Sequence, residues 1–456
     1  MNAGLLQTIA AELALFASAG FLLFALDDLA VDLIYFVRRG WRSATVYQRH
    51  PRVDVRSLRS PAEPGWLVVF IPAWDEAAVI GKMLRASLDR LAHPNFTLMV
   101  GHYRNDPATA AALAEVTDPR ILPVCVGVDG PTTKSDCLNR LYSALVRLET
   151  ERGRRAKAVI LHDAEDLVHP FELPVFDALI ERAGVLQLPV APLPDPGGSW
   201  VAGHYCDEFA ESHGKDLVVR EAVGASIPLA GVGCAVRRDA LSRLAAAFDG
   251  KPFGAGSMTE DYEMGLRLGA LGERSMFVRL PVDAAREELV ASRGYFPATL
   301  DAAVRQKARW IGGIAFAGWD RMGWRGGLGE RWFRLRDRRG PLSAVLLAAG
   351  YLSMLLWGQL WLAESLGAPP PEPMSPALLA LMQINVALLA WRLLMRASFT
   401  ARLYGWKEGL LALPRTLVAN AVAVLAAHRA LKIHLSGGPR QWDKTAHVFP
   451  AEAARG

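Results

Sequence analysis

Two hydrophobic patterns divide the chain. Three runs are apolar over roughly the ~20 residues that a helix needs to cross a bilayer. They are residues 5–26, with Glu12 the one charge, 342–362, with none, and 376–394, uncharged until Arg392. Between the first and second, the apolar runs are short and alternate with amphipathic stretches. Residues 66–71 read as a buried strand, 96–100, 121–126 and 158–162 as strands, and 77–91 has the period of a helix. Strands alternating with helices predict an α/β domain with a Rossmann-like, mostly parallel sheet and helices on both faces. A further apolar stretch, 406–435, is broken by Lys407, Glu408, Pro414, Arg415, Asn420, His428, Arg429 and Lys432. It reads as a helix lying in the membrane interface, with a fourth span as the competing reading.

Composition sharpens this picture. Hydrophobic residues make up 52% of the 456, which excludes a disordered chain. Cys125, Cys137, Cys206 and Cys234 form no CxxC pair, which excludes a disulfide scaffold and a zinc knuckle and suits a reducing compartment. Lys and Arg are absent before the first span and from 363–375. They cluster instead at Arg38, Arg39 and Arg42, at Arg331, Arg334, Arg336, Arg338 and Arg339, and at Arg396 and Arg402. That asymmetry predicts an N-terminus outside and residues ~38–340 in the cytoplasm. The net charge of +5 then belongs to an anionic lipid surface and calls for no nucleic acid. The expected organisation is an N-terminal anchor (1–37), a proline-punctuated linker (38–64), a cytoplasmic α/β domain (65–325) and a C-terminal membrane region (326–456) ending in a cytoplasmic tail.

The first strand is not followed by GxGxxG, so a dinucleotide fingerprint is missing. Acids gather at predicted strand ends instead, where open α/β sheets bind ligands. Asp75 and Glu76 follow the first strand, Asp106 the second, and Asp163, Glu165 and Asp166 the fourth. Three carboxylates in four residues repel one another unless a cation sits among them, and Mg²⁺ or Mn²⁺ suits oxygen ligands beside phosphates. For any one acid, a solvated helix cap is the plainer explanation; the cluster favours a metal. Thr259, Glu260 and Asp261 open a helical run, where Thr259 could be an ordinary N-cap. Gln306, Arg309 and Trp310 share a helix face. That face suits a diphosphate and a stacked sugar, or an amphipathic helix on the membrane.

Taken in order, these motifs resemble the processive membrane glycosyltransferases of family 2, such as cellulose and hyaluronan synthases. The resemblance covers residues ~65–340, including the Gly231 and Gly233 stretch that resembles the family's acceptor-side strand. The strings around His102 and Asp106, Thr133 to Asn139, Asp27 to Asp32, and Trp442 to His447 resemble the inner-membrane phage-adsorption protein B group, which is linked to exopolysaccharide production or export. The resemblance implies a GT-A-like fold with transmembrane and interfacial helices in a bacterial inner membrane. It implies an inverting transfer from a nucleotide sugar to a glycan acceptor. Asp261 would be the general base. Asp163 and Glu165 would hold a divalent metal, with Glu165 standing where many relatives have Asp. Asp75, Glu76, Asp106 and Lys134 would line the nucleotide pocket, Gln306 and Arg309 would meet the diphosphate, and Trp310 would stack on the acceptor. Trp442 to Thr445 would occupy the place of a gating loop, and an outer-membrane export partner is a further expectation. The rival reading is a non-catalytic membrane component that keeps only the fold.

Overall fold

The computed structural model describes residues 3–285, 288–437 and 447–450. It opens with α1 (Ala3–Ala44), one unbroken 42-residue helix. At 1.5 Å per residue α1 is about 63 Å long, twice a ~30 Å hydrocarbon core. It runs past the expected boundary at residue 37 and carries Arg38, Arg39 and Arg42 within it, since no proline interrupts the chain before Pro51.

An α/β domain follows. Its elements are β1 (Leu67–Pro72), α2 (Ile80–Arg90), β2 (Phe96–His102), α3 (Pro107–Ala114), β3 (Ile121–Cys125), α4 (Lys134–Arg152), β4 (Ala158–Leu161) and α5 (Glu172–Leu179), then β5 (Val185–Gln187), α6 (Trp200–Glu211), α7 (Leu217–Ala222), β6 (Cys234–Arg237), α8 (Arg238–Ala247), α9 (Glu260–Ala270), β7 (Ser275–Phe277) and α10 (Leu300–Ile311). The strands form one sheet in the order β3-β2-β1-β4-β6-β5-β7. The first four are parallel; β6 runs antiparallel to both β4 and β5, and β5 pairs parallel with β7.

Successive strand residues point to opposite faces, and both faces are covered. Leu67, Val69 and Ile71 pack with Met83, Leu84, Leu173 and Phe176 on one side. Val68 and Phe70 pack with Leu138, Leu141, Leu244 and Met264 on the other. The antiparallel β6 has a consequence for the site. Its first residue, Cys234, pairs with Leu161 at the end of β4, so the loop before β6 lies at the same sheet edge as the loop after β4.

Beyond α10 come α11 (Gly318–Met322), α12 (Leu328–Arg338), α13 (Gly340–Ser365), α14 (Pro376–Tyr404) and α15 (Trp406–Ser436). Among the described residues four helices, α1, α13, α14 and α15, are long and apolar enough to cross a membrane. The stretch expected to lie in the interface is thus, by length and composition, a candidate span like the other three, with Pro414 inside a continuous helix.

A knot of charge ties these helices to the α/β domain. Asp28 of α1 meets Arg336 at 2.9 Å, Arg339 at 2.6 Å and Arg392 at 3.3 Å. Asp32 pairs with the buried Lys215, which also holds Glu211 at 2.8 Å. Arg336, Arg339 and Arg396, which the sequence offered as signals of orientation, are therefore engaged with acids of the protein itself.

Candidate active site

The loop after β1 is shaped by Asp106. This residue is the N-cap of α3: its side chain accepts from Thr109 N at 3.2 Å and from Asp75 N at 2.6 Å. It thereby holds Asp75 at a left-handed φ of +56°, and Glu76 N donates to Thr109 Oγ1 at 2.8 Å. Glu76 is turned into a cavity of about 900 Å³ at the carboxyl edge of the sheet. Asp75 and Asp106, expected in the nucleotide pocket, are not among its lining residues. Asp106 is the cap that fixes the loop, and its carboxylate is occupied by backbone N–H groups.

The other sequence candidates, Lys134, Asp163, Glu165, Asp261, Gln306, Arg309 and Trp310, all line that cavity. Lys134 is the first residue of α4, set by a capping box between Thr133 and Asp136. Its Nζ lies 2.5 Å from Asp163 Oδ1 and 3.8 Å from Glu260 Oε1. Burial opposes its charge, but Asp163, Glu260 and Asp261 outweigh burial and hold the ammonium above the ordinary lysine range. Asp163 shows the reverse: burial works against its ionisation, yet Lys134 brings it below the usual carboxylate range. Asp163 is thus engaged by lysine rather than paired with Glu165.

Glu165 keeps different company. Its carboxylate, Glu76 and His447 bring ligand atoms within 4.8 Å of one another. Burial pushes the Glu165 carboxyl up to about 8 against the pull of His447, and neighbouring acids add to the rise. The acid turn itself rests on His162, a buried residue that meets Asp166 at 2.8 Å and also bonds Glu172. Asp166 in turn accepts from Asp163 N at 3.0 Å. The sequence pattern marks neither His162 nor His447 as a site residue. His162 was visible only as the last residue of a strand run, and His447 only as the end of the Trp442 to His447 string. Trp442 to Thr445 lie outside the described residues.

Asp261 sits in the first turn of α9, facing the loop before β6. A Cβ placed on Gly231 would stand 2.5 Å from Asp261 Oδ2. Burial raises the Asp261 carboxyl, Lys134 and Arg309 draw it down, and Asp163 adds to the rise. Thr259 holds the N-cap position but makes no capping bond, so the plain capping role is not realised; its buried hydroxyl has no hydrogen-bond partner. Gln306, Arg309 and Trp310 stand on one face of α10, whose end runs into a π-helical turn, Gly312–Ala317. Such turns often mark functional sites. Gln306 Oε1 is buried without a partner, and Trp310 meets Tyr205 edge-on at 6.2 Å between ring centres. One cavity thus holds a carboxylate at a helix start, a second group of acids, a lysine and an amide–guanidinium–indole face.

Residues 64–313 match the family described as Glycosyltransferase like family 2. The chain is 38% identical over 453 residues to Bacteriophage adsorption protein B of Escherichia coli K12 and, equally, to Bacteriophage N4 adsorption protein B of E. coli O157:H7. Those matches cover 93% of this chain and 60% of each relative, so the chain spans about three fifths of their length. Among solved structures, it is similar to a mannosyltransferase from Pyrobaculum calidifontis in complex with GDP-mannose and Mn²⁺. That likeness has a TM-score of 0.47 and 15% identity, and covers 90% of this chain and 99% of the other.

Proposed function

The chain belongs to glycosyltransferase-like family 2, with the GT-A-like fold of that family, and from that premise we propose that it is an inverting sugar transferase. The donor is a nucleotide diphosphate sugar and the acceptor a glycan hydroxyl. The observation that carries this reading is the convergence of Asp261, the acid turn after β4 and the Gln306, Arg309 and Trp310 face on one cavity.

Asp261 takes the proton of the acceptor hydroxyl, the acceptor oxygen attacks the anomeric carbon, and the bond from that carbon to the diphosphate breaks with its electron pair leaving on the phosphate oxygen. A buried carboxylate raised toward neutrality suits a general base. Arg309 and Lys134 place positive charge where the leaving diphosphate develops negative charge. Gln306 offers an amide to the diphosphate, and Trp310 offers an indole to the acceptor sugar. A divalent cation, Mg²⁺ or Mn²⁺, fits the donor set: Glu165 Oε2 is buried without a hydrogen-bond partner, Glu76 converges on it, and Asp163 lies in the same turn. Such an ion, when bound, supplies Lewis-acid neutralisation of the diphosphate.

Four helices long and apolar enough to cross a membrane support a seat in a bilayer; in this reading the cavity faces the cytoplasm of a bacterial inner membrane, where nucleotide sugars are made. Its relatives' role in phage adsorption supports a surface or secreted polysaccharide as product, and with it an outer-membrane export partner. The test is to purify the full chain in detergent, supply a panel of nucleotide sugars with Mn²⁺ or Mg²⁺, and measure nucleoside diphosphate release. Asp261→Asn is expected to melt and bind donor like the parent and to lose ~10²–10⁴-fold in rate. Parental turnover by that variant would overturn the assignment of the base. A parent inert across the panel, yet folded, would leave the non-catalytic reading standing.

A further inference from the structure

Helix α9, which carries Asp261, begins without the usual restraint. Thr259 at its N-cap gives no capping bond, so the first turn is held by other means. Within the loop, Ser257 Oγ donates to Glu263 at 2.7 Å. From outside, the hold comes through Tyr262, a buried residue. Its backbone N–H donates to Asp261 Oδ1 at 2.7 Å, and its hydroxyl donates to Asp337 Oδ2 on α12 at 2.8 Å. Burial, with Asp337 adding to it, holds the phenol well above its ordinary range, so it stays a protonated donor. Asp337 is itself fixed. Arg220 Nη1 donates to its Oδ1 at 2.8 Å and its Oδ2 at 2.9 Å. That arginine is buried, with Nε on Ser226 O at 2.6 Å and its guanidinium over the Phe333 ring. Arg336 and Arg339, before and after Asp337 in the chain, hold Asp28 of α1.

We propose that Tyr262 and Asp337 are positioning residues for the base: their hydrogen bond ties the first turn of α9 to α12 and so sets where the Asp261 carboxylate meets the acceptor hydroxyl. The proposal rests on the transferase reading above and goes beyond it in naming what aims the base. Asp261 Oδ1 is bonded to the N–H of the residue that is pinned, so a turn of Tyr262 carries the carboxylate with it. A reacting group displaced by ~1 Å costs ~100-fold in rate, so one hydrogen bond remote from the chemistry has a large effect on it. The site is then completed by α12, which is held by α1 in turn, and not by the α/β domain alone.

The experiment uses the full chain in detergent micelles with the nucleotide sugar that turns over in the panel above. Tyr262→Phe keeps the ring and its packing and removes one hydroxyl. It is expected to bind the donor's nucleoside diphosphate like the parent and to lose about tenfold to a hundredfold in turnover per folded molecule. Placed in an Asp261→Asn background, the same change should cost nothing further, because its effect runs through a carboxylate that is no longer there. Asp337→Asn added to Tyr262→Phe should likewise leave turnover per folded molecule where it was. A merely structural tyrosine predicts a lower melting temperature with parental turnover, and that result would overturn the proposal. So would a loss carried by nucleotide affinity, or a loss as large in the Asp261→Asn background as in the parent. A further loss from Asp337→Asn would remove Asp337 from the role. If Asp261→Asn itself turns over like the parent, the base and its positioning fall together while the transferase stands. A parent inert with every donor ends both readings, whereas an active parent matched by Tyr262→Phe ends this one alone.

Discussion

Gly231→Ala replaces no group that does chemistry, yet it should disable turnover, because it crowds the one that does. Gly231 has a φ of +77°, and its new Cβ would lie 2.5 Å from Asp261 Oδ2. Two costs follow. The left-handed backbone costs an L-residue about 1–2 kcal/mol. The carboxylate must also retreat by about 0.9 Å to reach ordinary contact at 3.4 Å. Asp261 can yield, because Oδ2 is the end of a side chain, though Oδ1 accepts from Tyr262 N at 2.7 Å and resists rotation. A reacting group misplaced by ~1 Å costs ~100-fold in rate, or about 3 kcal/mol on the barrier. Gly224→Ala is the matched control: its φ is +74° and a Cβ there meets nothing within 4 Å. Both variants should lose similar thermal stability, and both should bind donor. Only Gly231→Ala should lose about two orders of magnitude of diphosphate release per folded molecule. If the two variants turn over alike, Asp261 does not act from the position it holds here, and the argument fails.

Three further outcomes are expected. Burial pushes the Glu260 carboxyl up to about 7 against the pull of Lys134, with Asp261 adding to the rise, whereas the unfolded chain gives up that proton near 4.5. Stability therefore falls as pH rises across this window; Glu260→Gln should gain more melting temperature over the parent at pH 8 than at pH 4.5, and equal gains would refute the sign. In a Cys125→Ser background, chosen because Cys125 is the exposed thiol among the four free cysteines, an impermeant maleimide added to intact cells should label Cys at Pro371 and miss Cys at Gly250. Labelling at Gly250 would reverse the orientation. Lys215→Met should destabilise by about 3–5 kcal/mol, because Asp32 and Glu211 would keep buried charge without their shared cation; a parental melting temperature would show that Arg392 and Arg396 compensate Glu211 and that Asp32 needs no lysine.

Local pattern carried much of this protein. Residues 66–71, 96–100 and 158–162 were legible as strands because burial on both faces leaves an uninterrupted apolar run, and 121–126 was legible from its apolar residues although β3 is a half-exposed edge strand. Three of the candidate spans were legible as long, nearly uncharged runs, because an apolar solvent dictates one composition over the whole crossing. Asp261, Lys134, Glu165 and the Gln306 to Trp310 face were legible because the order of motifs along the chain is a one-dimensional property. The three-residue strands β5 and β7 were not, since so few residues show no period. Nor could sequence separate Asp106, an acid that caps a helix, from Glu76, an acid that enters the cavity: both follow a strand, and only the loop's path tells them apart. Fold alone decided that β6 runs against its neighbours and so brings Gly231 up to Asp261. Fold alone also set Lys134 on Asp163, and His447 on Glu76 and Glu165 across a separation of 371 residues from Glu76. Contacts between segments so far apart arise from sheet order and helix packing, and these are settled by the burial of the whole chain rather than by any window of it.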